Sequence, residues 1–142
     1  MRTTLYGVAM SAILALALPA SAQQTALRGL IGQWHQPSSD ETCRTGAYET
    51  WFDFTGITQR GILSGTWRLA CVNKSGYLSN DGTLTPDTPV AKLLPDGVVT
   101  VTISLSDRNE QLTYAFRPSG RTAPGFVTAQ SGSFLALKLE KM

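Results

Sequence analysis

The sequence has few of the residues from which most catalytic and metal sites are built. Its 142 residues include one histidine, His35, and two cysteines. A nucleophilic triad needs a base beside the nucleophile, and acidic residues dispersed along the chain add no recognised ligand pattern. A site formed by His35 with Asp40 and Glu41 would require the intervening loop to fold back. We therefore predict a protein without catalytic activity, cofactor or metal.

Neither sign of charge is in large excess. The chain carries 12 Lys and Arg against 10 Asp and Glu, a formal net charge of +2, and the two signs are interspersed. Nothing in this distribution favours nucleic acid or an anionic membrane as a partner. Low-complexity segments and strong internal repeats are also missing, so we expect one globular domain.

Long apolar runs are confined to the N-terminus. Arg2 precedes an apolar run over 5–18, and Ala20-Ser21-Ala22 forms a small-x-small cleavage site. This order is typical of a secretory signal peptide, and the run is shorter than the roughly 20 residues of a spanning helix. The sequence predicts a signal peptide over 1–22, a single domain over 23–142 without a membrane span, and a periplasmic or secreted location in a bacterium.

The two cysteines are expected to form one disulfide, since exported proteins favour oxidised thiols. A Cys43–Cys71 bond would close a loop of about 28 residues and stabilise the fold by roughly 3 kcal/mol on a chain-entropy basis. Two free thiols or a metal-binding pair are the alternatives.

Most of the mature chain alternates between apolar and polar residues with period two. This pattern indicates half-buried strands over 47–54, 62–72, 98–105, 111–117 and 134–140. Asn80-Asp81-Gly82 predicts a tight turn, and 118–124 predicts a loop before a strand at 125–130. Short strands that hairpins can join predict an all-β, antiparallel up-and-down barrel of about eight strands, or a related sandwich.

Two Gly-x-Trp triplets stand out, Gly32-Gln33-Trp34 and Gly65-Thr66-Trp67. The first resembles the signature of the calycin barrels, which include lipocalins, avidins and the exported bacterial metalloprotease inhibitors. The resemblance implies that Trp34 closes one end of the barrel. It also implies that a basic residue of the last strand, Lys138 or Lys141, packs on the indole. The protease inhibitors are the most similar in size, signal peptide and single disulfide.

The aromatic residues divide into two groups by strand parity. Trp51 lies on the face of its strand that carries Glu49 and Asp53, where a large aromatic marks a contact surface or covers the barrel exterior. The other candidates lie on inward faces, where they fill the core or line a ligand cavity; they are Tyr48, Trp67, Tyr114 and Phe116.

These features predict an exported, non-catalytic protein that binds or inhibits a partner protein such as a protease. One alternative is a lipocalin-like carrier of a small apolar ligand. Another is an accessory subunit of a cell-envelope complex.

Overall fold

The computed structural model describes residues 28–38, 48–73, 76–105 and 109–142. The expected signal peptide and the loop acids Asp40 and Glu41 lie outside these residues, as does Cys43. Cys71 is buried, and its bond to Cys43 stays a prediction. No helix in the described ranges has the length and apolar character needed to cross a membrane.

The described chain forms nine strands that belong to one antiparallel sheet. After a short helical turn over 28–30, the strands are β1 (Gly32–Gln36), β2 (Glu49–Ile57), β3 (Leu63–Asn73), β4 (Gly76–Leu84), β5 (Ala91–Leu93), β6 (Val99–Leu105), β7 (Glu110–Phe116), β8 (Thr122–Ala129) and β9 (Phe134–Lys141).

The strand order is β4-β3-β2-β1-β9-β8-β7-β6-β5, so chain neighbours are adjacent and the first strand pairs with the last. The ends of the sheet meet where Ile62 bridges Lys92 and the Leu93 N–H donates to the Gly61 carbonyl at 2.7 Å. The result is a nearly closed barrel. The all-β, up-and-down prediction is confirmed, with nine strands rather than about eight, and the sandwich alternative is not adopted.

Aromatic side chains from both halves of the barrel meet in its core. The ring of Phe52 on β2 stacks on Phe116 of β7 with centroids 5.8 Å apart, and Tyr114 meets Phe52 edge-on at 5.1 Å. Phe54 stacks beside them. These four rings are 1% exposed or less. The inward faces predicted from parity are therefore confirmed for these strands.

The tight turn predicted at Asn80-Asp81-Gly82 is wrong, because β4 runs straight through these residues. Gly82 pairs with Trp67 across the β3–β4 ladder. A Cβ at position 82 would lie 2.6 Å from the indole nitrogen of Trp67. The glycine is therefore explained by the close approach of the ring and not by a turn.

The N-terminal edge of β8 also differs from the prediction. The strand begins at Thr122, three residues before the expected 125, and contains Pro124. Pro124 lacks an N–H, but its carbonyl accepts a hydrogen bond from the Arg117 N–H at 3.0 Å. Proline is tolerated here because the strand needs only its acceptor on that side.

Trp34 connects the helical turn to the barrel core. Its side chain is fully buried, and its indole N–H donates to the Leu30 carbonyl at 2.9 Å. The residue paired with Trp34 on β9 is Lys141, whose ammonium donates to the Gly29 carbonyl at 2.9 Å. The expectation that Lys138 packs on Trp34 needs correction, because Lys138 lies on the exposed outer face of β9.

Candidate functional site

The strand register aligns five polar or aromatic residues across the outside of the barrel. Neighbouring strands pair Glu140 of β9 with His35, His35 with Trp51, Trp51 with Arg68, and Arg68 with Asp81. Directly paired residues share one face of a sheet, and this face is opposite to the buried one. We call this set the Trp51 row.

Trp51 is held by its two cross-strand neighbours. The imidazole of His35 on β1 stacks on the indole with centroids 5.1 Å apart and planes inclined by 28°. The guanidinium carbon of Arg68 on β3 lies 4.3 Å from the ring centroid. A cation over an exposed indole contributes about 0.5–1 kcal/mol. The two contacts come from opposite sides of β2, so they fix the direction in which the ring leaves the barrel.

Carboxylates surround the held indole. The Nε2 atom of His35 lies 2.7 Å from the Glu49 carboxylate, and the two side chains are 22% and 36% exposed. This contact runs diagonally from β1 to β2 and fixes the imidazole that stacks on Trp51. Asp53 lies on the same face of β2, two residues after Trp51. The site therefore combines one positioned aromatic ring with the His35–Glu49 pair and the charged side chains of Arg68 and Asp53.

The described ranges contain no cluster of three or more His, Cys, Asp or Glu residues that would hold a metal ion. Nε2 of His35 is hydrogen-bonded to the Glu49 carboxylate. A histidine–carboxylate pair is the second half of a triad, but no Ser, Thr or Cys hydrogen-bonds His35 within the described ranges. The imidazole of this pair is the one that stacks on Trp51.

The other four aromatic candidates lie apart from Trp51, on the inner side of the sheet. Tyr48, Tyr114 and Phe116 are buried, and Trp67 is partly buried against the same core. Burial raises the pKa of Tyr114 well above its ordinary value, and nearby Thr50 offsets only part of the rise. The Tyr114 hydroxyl makes no hydrogen bond of normal geometry. Tyr48, Tyr114 and Phe116 are therefore packed inside the barrel, and Trp67 lies at the edge of the same core.

Sequence reasoning did not identify His35 and Arg68 as contacts of Trp51. Parity alone places Arg68 on the outer face of its strand and gives His35 the parity opposite to buried Trp34. What parity does not give is register, and the contacts with Trp51 depend on it: a shift by two residues would remove both neighbours while leaving each strand's faces unchanged. The length of the loop between β2 and β3 limits the registers that the two strands can adopt, and it would have reduced the number of possible neighbours of Trp51.

No protein-family model matches the chain, and neither the curated proteins nor the solved structures include a significant match. The nearly closed antiparallel barrel is compatible with a calycin-like architecture.

Proposed function

We propose that this chain is an exported, non-catalytic protein that binds a partner protein through the outer face of β1–β4, with Trp51 as its central contact. The observation that carries the proposal is the indole held between His35 and Arg68 on an outward face. A protease is the first partner class to test, because of the resemblance to exported protease inhibitors.

The residue types of the Trp51 row fit a protein interface. Tryptophan and arginine are the side chains most enriched among residues that dominate binding energy. A ring that is already fixed loses little conformational freedom when a partner covers it. The flanking carboxylates of Glu49 and Asp53 supply the polar surroundings that such anchors usually have.

The arrangement of the core supports a protein partner over a small apolar ligand. A carrier needs an internal space, whereas the rings of Phe52, Tyr114 and Phe116 pack against one another at the centre of this barrel. The carrier function would require those contacts to open.

The proposal is tested with purified mature protein and a panel of metallo- and serine proteases, measured by inhibition and by direct binding. For the protease that binds, Trp51→Ala should weaken binding by about 30-fold or more, the effect of losing a dominant contact. Phe126→Ala is the matched control, since Phe126 is an aromatic on the outer wall far along the sheet and 55% exposed. Equal loss in both variants would contradict the assignment to Trp51.

A second arm separates the carrier alternative. Tryptophan fluorescence of the wild type is followed during titration with apolar probes such as 1-anilinonaphthalene-8-sulfonate and palmitate. We expect no saturable change. Saturable binding of either probe, with no protease bound, would favour the carrier.

A further inference from the structure

Within the described ranges, the seam between the first and last strands is paired over only a short stretch. The described residues of β1 pair with β9 at Trp34–Lys141 and His35–Glu140 and at no other position, whereas β8 pairs with β9 from Glu140 back to Phe134. β1 ends at Gln36, and the next residue is Pro37, which has no N–H to continue a ladder. β9 therefore extends beyond the strand that should cover it.

The direction of the backbone groups on β9 follows from two flanking hydrogen bonds. The Met142 N–H donates to Gln33 of β1 at 2.8 Å, and the Lys141 N–H donates to Arg121 beside β8 at 2.8 Å. Because successive residues of a strand point their amides to opposite sides, even-numbered residues of β9 face the β1 side. The N–H and C=O of Ala136 thus face the open seam.

One side chain substitutes for the missing strand. The Lys138 N–H donates to the side-chain oxygen of Gln36, which is itself only 7% exposed. Among the described residues, no backbone group pairs with Ala136 on this side. Unpaired main-chain groups at an edge are a template for a further strand.

Side chains at the seam are also left uncovered. Leu137 and Leu139 on the inner face of β9 are 3% and 0% exposed, but Leu135 on the same face is 38% exposed. β1 ends at Gln36, so no residue of β1 is paired at the level of Leu135. A groove of about 370 Å³ follows the seam; it is lined by Gln36, Pro37, Ala136, Leu137, Lys138 and Glu140.

We propose that the open edge of β9, from Phe134 to Lys138, binds an extended segment of a partner protein by strand addition. Alternating N–H and C=O groups at this edge require an extended main chain as occupant. The edge spans roughly 13 Å at about 3.3 Å per residue, which suits a segment of about five residues. This site adjoins the Trp51 row at Glu140 but does not depend on the function proposed for that row.

Charge and shape define the segment further. Lys138 is opposite Pro124 on β8, and no carboxylate of the described residues forms an ion pair with it. An acidic residue at one end of the added segment would complement this ammonium, and an apolar residue facing inward would cover Leu135. A second copy of the chain fits less well, because its own edge over 134–138 has no acid to offer Lys138.

The probe is the peptide acetyl-Val-Thr-Val-Thr-Val-Asp-amide, titrated into uniformly ¹⁵N-labelled mature protein and followed by amide shifts and hydrogen exchange. Binding should protect the Ala136 amide from exchange and leave the amides of β3 unchanged. Ala136→Pro should weaken binding about tenfold or more, because it removes the N–H that faces the seam. The β8 ladder should survive, since it uses the odd-numbered residues. Trp51→Ala should leave peptide binding unchanged.

Charge reversal provides a second variant with no backbone change. Lys138→Glu should weaken the peptide ending in Asp and strengthen the same peptide ending in Lys, each by several-fold as expected for a partly exposed ion pair. The proposal is overturned if the peptide gives no exchange protection at Ala136, or if both peptides bind both proteins equally. It is also overturned if sedimentation shows a wild-type dimer that Ala136→Pro dissociates, which would assign the edge to a second copy.

Discussion

The two halves of the barrel wall have similar inner faces and different outer faces. Inside, β2 contributes Phe52 and Phe54 while β7 contributes Tyr114 and Phe116, and the rings from both halves are equally buried. Outside, β1–β4 carry His35, Arg68 and Asp81 of the Trp51 row. The outer residues of β6–β8 are uncharged; they include Thr100, Thr102, Thr113, Ala115, Phe126 and Thr128. The inner faces hold the fold together, and only the outer faces distinguish one half from the other.

Exposed aromatic residues sharpen this comparison. On β8 and the adjoining end of β9, Phe126 and Phe134 are 55% and 65% exposed and contact each other edge-on at 5.9 Å. On the charged half, Trp51 is partly buried between His35 and Arg68. Exposure alone would select the phenylalanines as a binding surface. Fixed orientation selects the tryptophan, because a positioned ring requires less ordering on binding.

The largest expected effect tests whether the inner faces are equivalent. Phe52→Ala and Phe116→Ala should each cost about 3–5 kcal/mol, the range for truncating a buried aromatic. Because the two rings stack on each other, the double variant should cost less than the sum of the single ones. Urea unfolding measures all three. A cost below about 1 kcal/mol for one ring alone would show that the halves contribute unequally.

The sequence predicted the inner faces well and the outer site poorly, and the reason is physical. Alternation along 98–105 and 111–117 is enough to identify β6 and β7, because each strand buries one face against the same core. The Trp51 contacts depend on register between three strands, which no single strand encodes. The open edge of β9 depends on where β1 ends, although Pro37 was a visible signal.

Glycine and proline produced two of the errors in the strand assignments. Asn80-Asp81-Gly82 has turn composition, yet Gly82 is required by the indole of Trp67 on the neighbouring strand. Pro124 has loop composition, yet its carbonyl serves the β7–β8 ladder. In both cases the conformation depends on a contact with a residue distant in the chain. Local composition cannot predict such a contact.

A second prediction compares one glycine from each half. A Cβ at Gly125 of β8 would lie 2.0 Å from the Ala115 carbonyl oxygen, whereas at Gly82 of β4 it would meet the side chain of Trp67 at 2.6 Å. Backbone atoms move aside less easily than a side chain. Gly125→Ala should therefore lower the free energy of unfolding by about 3 kcal/mol and Gly82→Ala by about 1–2 kcal/mol. Gly29→Ala is the control, since no atom lies within 4 Å. Thermal unfolding ranks the three, and the reverse order for the first two would refute the reasoning.

A third prediction concerns the support of Trp51. Arg68→Ala should lower stability by less than about 1 kcal/mol, as for other exposed cation–π contacts. It should also increase acrylamide quenching of the tryptophan fluorescence, because the indole loses one of its two neighbours. Arg117→Ala is the matched control: its guanidinium is exposed and lies 3.9 Å from the Asp96 carboxylate. Unchanged quenching in Arg68→Ala would mean that His35 alone positions the ring.

The smallest expected effect on stability comes from the buried hydroxyl groups between the two halves of the barrel. Thr50 of β2 donates its hydroxyl to the Tyr48 carbonyl at 3.0 Å, and the buried Tyr114 hydroxyl of β7 has no hydrogen-bond partner of normal geometry among the described residues. Removing an unpaired buried hydroxyl is neutral or stabilising, so Tyr114→Phe should change the free energy of unfolding by about 0 to +1 kcal/mol at pH 7.

The same substitution has a pH signature that a simple packing change lacks. Burial raises the pKa of Tyr114 above its ordinary value of 10.0, so the unfolded chain releases this proton at lower pH than the folded one. Stability contributed by the neutral phenol is complete below pH 10 and is lost as the pH rises further. Wild type should therefore lose stability above about pH 10 more steeply than Tyr114→Phe. Parallel curves in urea titrations at pH 9, 10 and 11 would show that the hydroxyl reaches solvent or a partner.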